Sequence, residues 1–156
     1  MDKLWAPWRS VYVYSRKRQG CIFCGKRSVA RDKKHYVIGR SKHSFAMLNL
    51  YPYNNGHVMV SPFRHVKDLE RLSDCELADL MGLVRREKVR LDKKLKPHGY
   101  NIGMNVGRVS GAGFDGHLHI HIVPRWSGDT NFMPILTNTK IVSESLEAMY
   151  ELLKDD

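Results

Sequence analysis

The chain has 156 residues, 42% of them apolar, enough for one domain with a proper core and too little for a second. No apolar run reaches the length of a bilayer span, and Met1-Asp2-Lys3-Leu4-Trp5 lacks the basic-then-apolar order of a secretion signal, so a cytoplasmic protein is expected. A formal net charge of +10 points to polyanionic partners, either nucleic acid held by weak adhesion or a phosphate-rich ligand, and composition does not choose between them.

In chain order, residues 1–20 read as an extended basic segment that carries Trp5 and Trp8 and packs over the body. Cys21-Ile22-Phe23-Cys24 follows. Three cysteines cannot build a disulfide framework for a chain of this size, which leaves metal binding or redox use for the pair. Residues 36–39, 45–49 and 58–61 read as short strands separated by turn-rich pieces such as Tyr51-Pro52-Tyr53-Asn54-Asn55-Gly56. Ser73-Asp74-Cys75-Glu76 is a capping box. The helix that it opens places Leu77, Leu80, Met81, Val84, Leu91 and Leu95 on one stripe and ends at Pro97 and Gly99. A strand over residues 100–105 comes next, then a glycine-rich loop over 107–116. Ser143 is expected to cap a final helix running to Leu153. The pattern is an antiparallel sheet with helices packed on one face, an α+β domain.

The loop Asn105-Val106-Gly107-Arg108-Val109-Ser110-Gly111-Ala112-Gly113 joins two adjacent strands, and successive amides in such a loop can wrap an anion. After it comes His117-Leu118-His119-Ile120-His121-Ile122-Val123. Alternation at period two is that of a β-strand, with Leu118, Ile120 and Ile122 turned to a core and the imidazoles to the other face. Each imidazole needs partners for two ring nitrogens, so three in a row form a site rather than surface decoration. Histidines two apart on a strand can ligate a metal jointly. Alternatively, the middle imidazole can act as a nucleophile held in one tautomer.

The sequence His-φ-His-φ-His-φ-φ, where φ is apolar, followed by Pro124-Arg125, resembles the signature of the histidine-triad (HIT) superfamily of nucleotide hydrolases and transferases at all seven places. Met47-Leu48-Asn49-Leu50 and Gly56-His57-Val58-Met59-Val60-Ser61-Pro62 resemble the nucleoside-binding hairpin of that superfamily, and Asn105-Val106-Gly107 its phosphate-binding loop. Leu4-Trp5-Ala6-Pro7-Trp8-Arg9, Gly111-Ala112-Gly113 and the stretch from Pro124 to Pro134 are similar to the bacterial branch of diadenosine tetraphosphate phosphorylase-like proteins. The resemblance implies that His119 attacks the α-phosphorus to form a nucleotidyl-histidine, with His117 and His121 as the other catalytic imidazoles and His121 on the α-phosphate. It places Asn105, Gly107, Gly111 and Gly113 around the phosphates, Asn49 on the ribose, and Phe45, Met47 and Leu48 near the base. Zinc-containing relatives imply a structural Zn2+ held by Cys21, Cys24, His65 and His117. Mg2+ travelling with the polyphosphate and a homodimer, with the helix over residues 73–95 at or near its interface, are further expectations. His57 is read as a structural strand residue, and His35, His43 and His98 as local hydrogen-bonding groups.

One departure matters. Hydrolase branches carry Gly-Gln-Ser/Thr before the triad where this chain has Ala112-Gly113-Phe114. The missing amide and hydroxyl leave room beside the phosphorus, so inorganic phosphate rather than water is the expected acceptor. Hydrolysis of dinucleoside polyphosphates or phosphoramidates is the alternative. A nucleotide- or RNA-binding module with little turnover is the reading from a different class, suggested by the +10 charge and Trp5, Trp8 and Trp126.

Overall fold

The computed structural model describes residues 20–26, 28–130 and 142–154. The segment carrying Trp5 and Trp8, and the motif residues from Asn131 to Pro134, lie outside them. Five strands form one sheet: β1 (Val37–Arg40), β2 (Ser44–Leu48), β3 (Val58–Pro62), β4 (Gly99–Gly103) and β5 (Ile120–Arg125). Their order is β1-β2-β3-β5-β4, with every neighbouring pair antiparallel. The helices α1 (Asp32–His35), α2 (Asp74–Leu95) and α3 (Leu146–Leu153) complete the α+β architecture, as the sequence predicts. No described helix is long and apolar enough to cross a membrane.

Strand alternation divides the core in two. Ile38, Ala46, Leu48, Val58, Val60, Leu118, Ile120 and Ile122 face α2 and α3. Phe45, Met47 and Met59 point to the opposite face, where Phe23 covers them. Among the described residues, Cys21, Phe63 and Phe114 pack against that second cluster.

The capping box of α2 is complete: the Ser73 hydroxyl accepts from the Glu76 amide and the Glu76 carboxylate accepts from the Ser73 amide. Arg64 grips the same carboxylate through two hydrogen bonds of 2.7 Å. Those bonds and the Ser73 amide hold the Glu76 pKa down to about 2. The buried stripe of α2 is Leu80, Leu83, Val84, Glu87 and Leu91. Leu77 and Met81 are exposed, a correction to the predicted stripe. The centre of the stripe is turned toward Leu83 and Glu87, which the carboxylate at 87 conceals in the sequence. Glu87 is buried beside Gly39, where a Cβ would crowd its Oε1, and Arg90 lies 3.1 Å and Arg86 3.5 Å away. Lys96 closes α2 in the left-handed region. The final helix is capped by Ser145, two residues after the predicted Ser143, its hydroxyl accepting from Ala148 N–H at 3.1 Å.

The ladder of β5 starts only at Ile120, so His117 and His119 lie on the approach to it rather than within it. That approach is tied down by Leu118 N–H on the Val66 carbonyl (2.7 Å) and by the Ser61 hydroxyl on the Leu118 carbonyl (2.9 Å). His121 lies inside the ladder, between Met59 of β3 and Gly103 of β4.

Candidate functional site

The hydrogen bonds of the imidazole row fix where each proton sits. His119 Nδ1 lies 2.9 Å from the His117 carbonyl. A carbonyl only accepts, so Nδ1 carries the proton and Nε2 keeps its lone pair. The chain of logic for His121 starts one strand away. Tyr53 N–H donates to His57 Nδ1 at 3.0 Å, so the proton of a neutral His57 is on Nε2. That Nε2–H donates to His121 Nδ1 at 2.9 Å, which places the His121 proton on its own Nε2. Burial, with His121 and His119 adding like charge, pushes the His57 pKa down to about 3. Burial and His119 push His121 down to about 4. Burial also lowers His119, opposed by its bond to the His117 carbonyl. The rings of His119 and His121, 4.8 Å apart, therefore present a lone pair and an N–H donor side by side at neutral pH. That pair can attack a phosphorus and donate to one of its oxygens.

His117 takes a different part. Its Nε2 is 2.9 Å from the Pro62 carbonyl and so is protonated, which turns the Nδ1 lone pair toward the cysteines. Nδ1 is 3.2 Å from Cys21 Sγ and 3.7 Å from Cys24 Sγ, and Cys24 Sγ is 3.2 Å from His65 Nδ1. The four donor atoms lie within 4.8 Å of one another. A tetrahedral ion with zinc–ligand bonds of about 2.0–2.3 Å spaces sulfur and nitrogen by about 3.6 Å, so the group fits one metal of that type. Burial holds the His117 pKa down to about 4, keeping the neutral form that a ligand needs. His117 also meets the triad through its backbone, since its carbonyl accepts from His119 Nδ1–H.

The remaining predicted residues are divided by the sheet. Phe45 and Met47 lie on the histidine side in one cluster with Phe23 and Met59. Leu48 is one residue out of phase with Met47 and packs on the helix side. Asn49 follows β2 directly; its Oδ1 accepts from Tyr51 N–H at 3.0 Å, and its Nδ2 is 3.3 Å from His57 Nδ1. Asn105 is half-buried at the start of the glycine loop. Gly107 and Gly111 have φ of 84° and 86°, a backbone that side chains disfavour, and no atom lies within 4 Å of where a Cβ would stand at either. Arg108 is 92% exposed beside Asp115 at 3.6 Å, so its charge is mostly solvated.

Two residues of this site were not singled out by sequence reasoning. His57 was read as structural, yet it holds the tautomer of His121. Its alternation with Met59, which pairs with His121, is the available signal, but that signal needs the β3–β5 register. Phe23 was seen only as a spacer between two cysteines. It is buried, and its ring stacks on His119 with centroids 4.9 Å apart and planes at 30°.

The HIT domain family model matches residues 30–128. The chain is 44% identical over 123 residues to a protein of Mycobacterium tuberculosis named AP-4-A phosphorylase, covering 78% of this chain and 63% of that one, so it spans less than two thirds of that relative. It is 33% identical over 105 residues to an adenosine 5'-monophosphoramidase of Schizosaccharomyces pombe, covering 67% of this chain and 74% of that one. Among solved structures, a zinc-bound histidine triad family protein from Mycobacterium smegmatis superposes with a TM-score of 0.68 at 25% identity, over 86% of this chain and 91% of that one. A hypothetical histidine triad nucleotide-binding protein from Sulfolobus tokodaii gives 0.67 at 30% identity, over 85% and 86%.

Proposed function

We propose, for a chain that belongs to the HIT family, a nucleotidyltransferase that splits dinucleoside polyphosphates with inorganic phosphate as acceptor. The observation that carries the reading is the fixed pair of tautomers, a lone pair on His119 Nε2 beside the N–H of His121 Nε2. With diadenosine tetraphosphate, His119 Nε2 bonds to an α-phosphorus and the bond to the bridging oxygen breaks, releasing ATP. Phosphate then attacks the adenylyl-histidine, the P–N bond breaks, and ADP leaves with His119 restored. His121 donates to an oxygen on phosphorus as charge builds, and Asn105 and the amides around Gly107, Gly111 and Gly113 hold the phosphates. Asn49 accepts a ribose hydroxyl through the second lone pair of Oδ1, and Phe45 and Met47 line the base side.

Gly113 and Phe114 support phosphate over water, because Gly113 removes the side-chain amide and leaves acceptor space beside His119, while Phe114 removes the hydroxyl. The similarity to the mycobacterial phosphorylase points the same way. The phosphoramidase relative supports the second reading, a hydrolase in which water takes the nucleotidyl group. The thiolate and imidazole donors of Cys21, Cys24, His65 and His117 suit structural Zn2+ with no open position. Bound there, the ion would supply an anchor for the strand that presents His119 rather than Lewis acid chemistry. Mg2+ accompanies the polyphosphate. A single cytoplasmic domain and a homodimer belong to the same reading, the latter supported by exposed Leu77, Met81 and Val89 on α2.

The test is product analysis on diadenosine tetraphosphate with phosphate titrated in. The expected products are ATP and ADP, with a His119→Ala variant that binds nucleotide and loses turnover by orders of magnitude. AMP dominating at millimolar phosphate makes the protein a hydrolase, and near-normal activity in His119→Ala overturns the mechanism.

A further inference from the structure

Phe23 lies between the two metal-site cysteines and has almost no exposed surface. Its ring stacks on His119 at 4.9 Å and 30°, tilts against His117 at 5.3 Å, and meets the edge of Phe114 at 6.1 Å. Phe45 supports it from the sheet at 6.5 Å. Its own backbone is held by the loop: Phe23 N–H points at Cys21 Sγ at 3.4 Å, and the Phe23 carbonyl accepts from Lys26 N–H at 3.2 Å. The His119 ring is thus bonded at Nδ1, packed on one face by Phe23, and bordered at 4.8 Å by His121. A hydrogen bond at one atom leaves a ring free to rock about that bond, whereas a stacked neighbour removes this freedom by filling the volume through which it would swing.

We propose that Phe23 is a positioning residue for the nucleophile: the Cys21–Cys24 loop holds its ring against His119 and so sets the direction of the Nε2 lone pair. The metal site and the transfer site are then joined by this aromatic contact beside the His117 carbonyl on His119 Nδ1, and Phe114, on the edge of Phe23, completes the packing where hydrolase branches carry a hydroxyl residue. The kinetic part of this inference rests on the nucleotidyl-transfer reading. The structural part does not.

The experiment uses the full chain with its metal. In the wild type, the His119 ring protons, assigned by their absence from the His119→Ala spectrum, are expected upfield from the Phe23 ring current and in NOE contact with it. In Phe23→Leu the upfield shift is lost, and kcat on diadenosine tetraphosphate falls roughly 10- to 100-fold, the scale of a misaligned reacting group, with KM unchanged. Absence of the NOE in the wild type overturns the proposal without any variant, so a Phe23→Leu chain that fails to fold does not shield it. An unshifted His119 in a folded Phe23→Leu, an unchanged kcat, or a rise in KM alone also overturns it, the last assigning Phe23 to substrate binding. A wild type without turnover overturns the proposed function instead, and the NOE and ring-current result then decides the role of Phe23 by itself.

Discussion

His57 offers the sharpest test of how this site works, because its two nitrogens do different things. Nδ1 accepts from Tyr53 N–H at 3.0 Å, and Nε2–H donates to His121 Nδ1 at 2.9 Å. Replacing His57 with leucine fills much of the volume but leaves His121 Nδ1 a buried lone pair without a donor. The His121 proton then moves toward Nδ1, and the Nε2–H donor is lost. Leaving a buried polar atom unsatisfied costs about 1–3 kcal/mol. At about 1.4 kcal/mol per decade of rate, His57→Leu should lower kcat roughly 5- to 150-fold. Losing the Tyr53 N–H bond costs about 0.5–1.5 kcal/mol of stability, a fall in Tm of roughly 1–6 °C for a chain of this size. His57→Gln is the control. A glutamine amide nitrogen reaches about as far as Nε2 and keeps the donor to His121, so it should retain most of kcat while still losing the Tyr53 contact. The assay is steady-state release of ATP and ADP, read beside a long-range proton–nitrogen spectrum that reports the His121 tautomer. A folded His57→Leu with wild-type kcat, or equal losses in the leucine and glutamine variants, would refute the relay.

Metal analysis of untagged protein should return one zinc per chain. Cys24→Ser should lose the metal and melt earlier, each kcal/mol lost lowering Tm by about 2–4 °C; a well-folded wild type with far less than one equivalent sinks the site. Gly113→Gln should fill the acceptor space and raise the AMP-to-ADP ratio at fixed phosphate, and an unchanged ratio places acceptor selection elsewhere. Glu87→Ala breaks a buried ion pair, normally about 3–5 kcal/mol, but Arg90 keeps the Ile38 and Leu153 carbonyls as acceptors. The loss should therefore sit near the low end, a fall in Tm of roughly 6–12 °C in calorimetry, with kcat unaltered because Glu87 lies on the helix side of the sheet; an unshifted Tm would contradict the burial argument.

Much of this protein is legible in local sequence because backbone geometry alone enforces it. Leu118, Ile120 and Ile122 alternate with histidines, and a pleated chain must send the two sets to opposite faces. Ser73 and Glu76 cap a helix through groups three residues apart. Local pattern misleads where the deciding contact is distant. Glu87 reads as solvent-facing because nothing near it in sequence announces the gap at Gly39. Leu48 looks equivalent to Met47 until the pleat assigns them to different sides. Ser145 rather than Ser143 caps the last helix, since either serine satisfies the pattern and only packing selects the register. The chemistry depends most on what the fold alone decides. Cys21 and His117 are 96 residues apart and meet at 3.2 Å, and His57 and His121 are 64 apart and meet at 2.9 Å. The second meeting follows from β3 and β5 lying side by side in antiparallel register, the first from the Cys21–Cys24 segment packing against the approach to β5, and strand order is a property of the whole chain's packing that no local periodicity encodes.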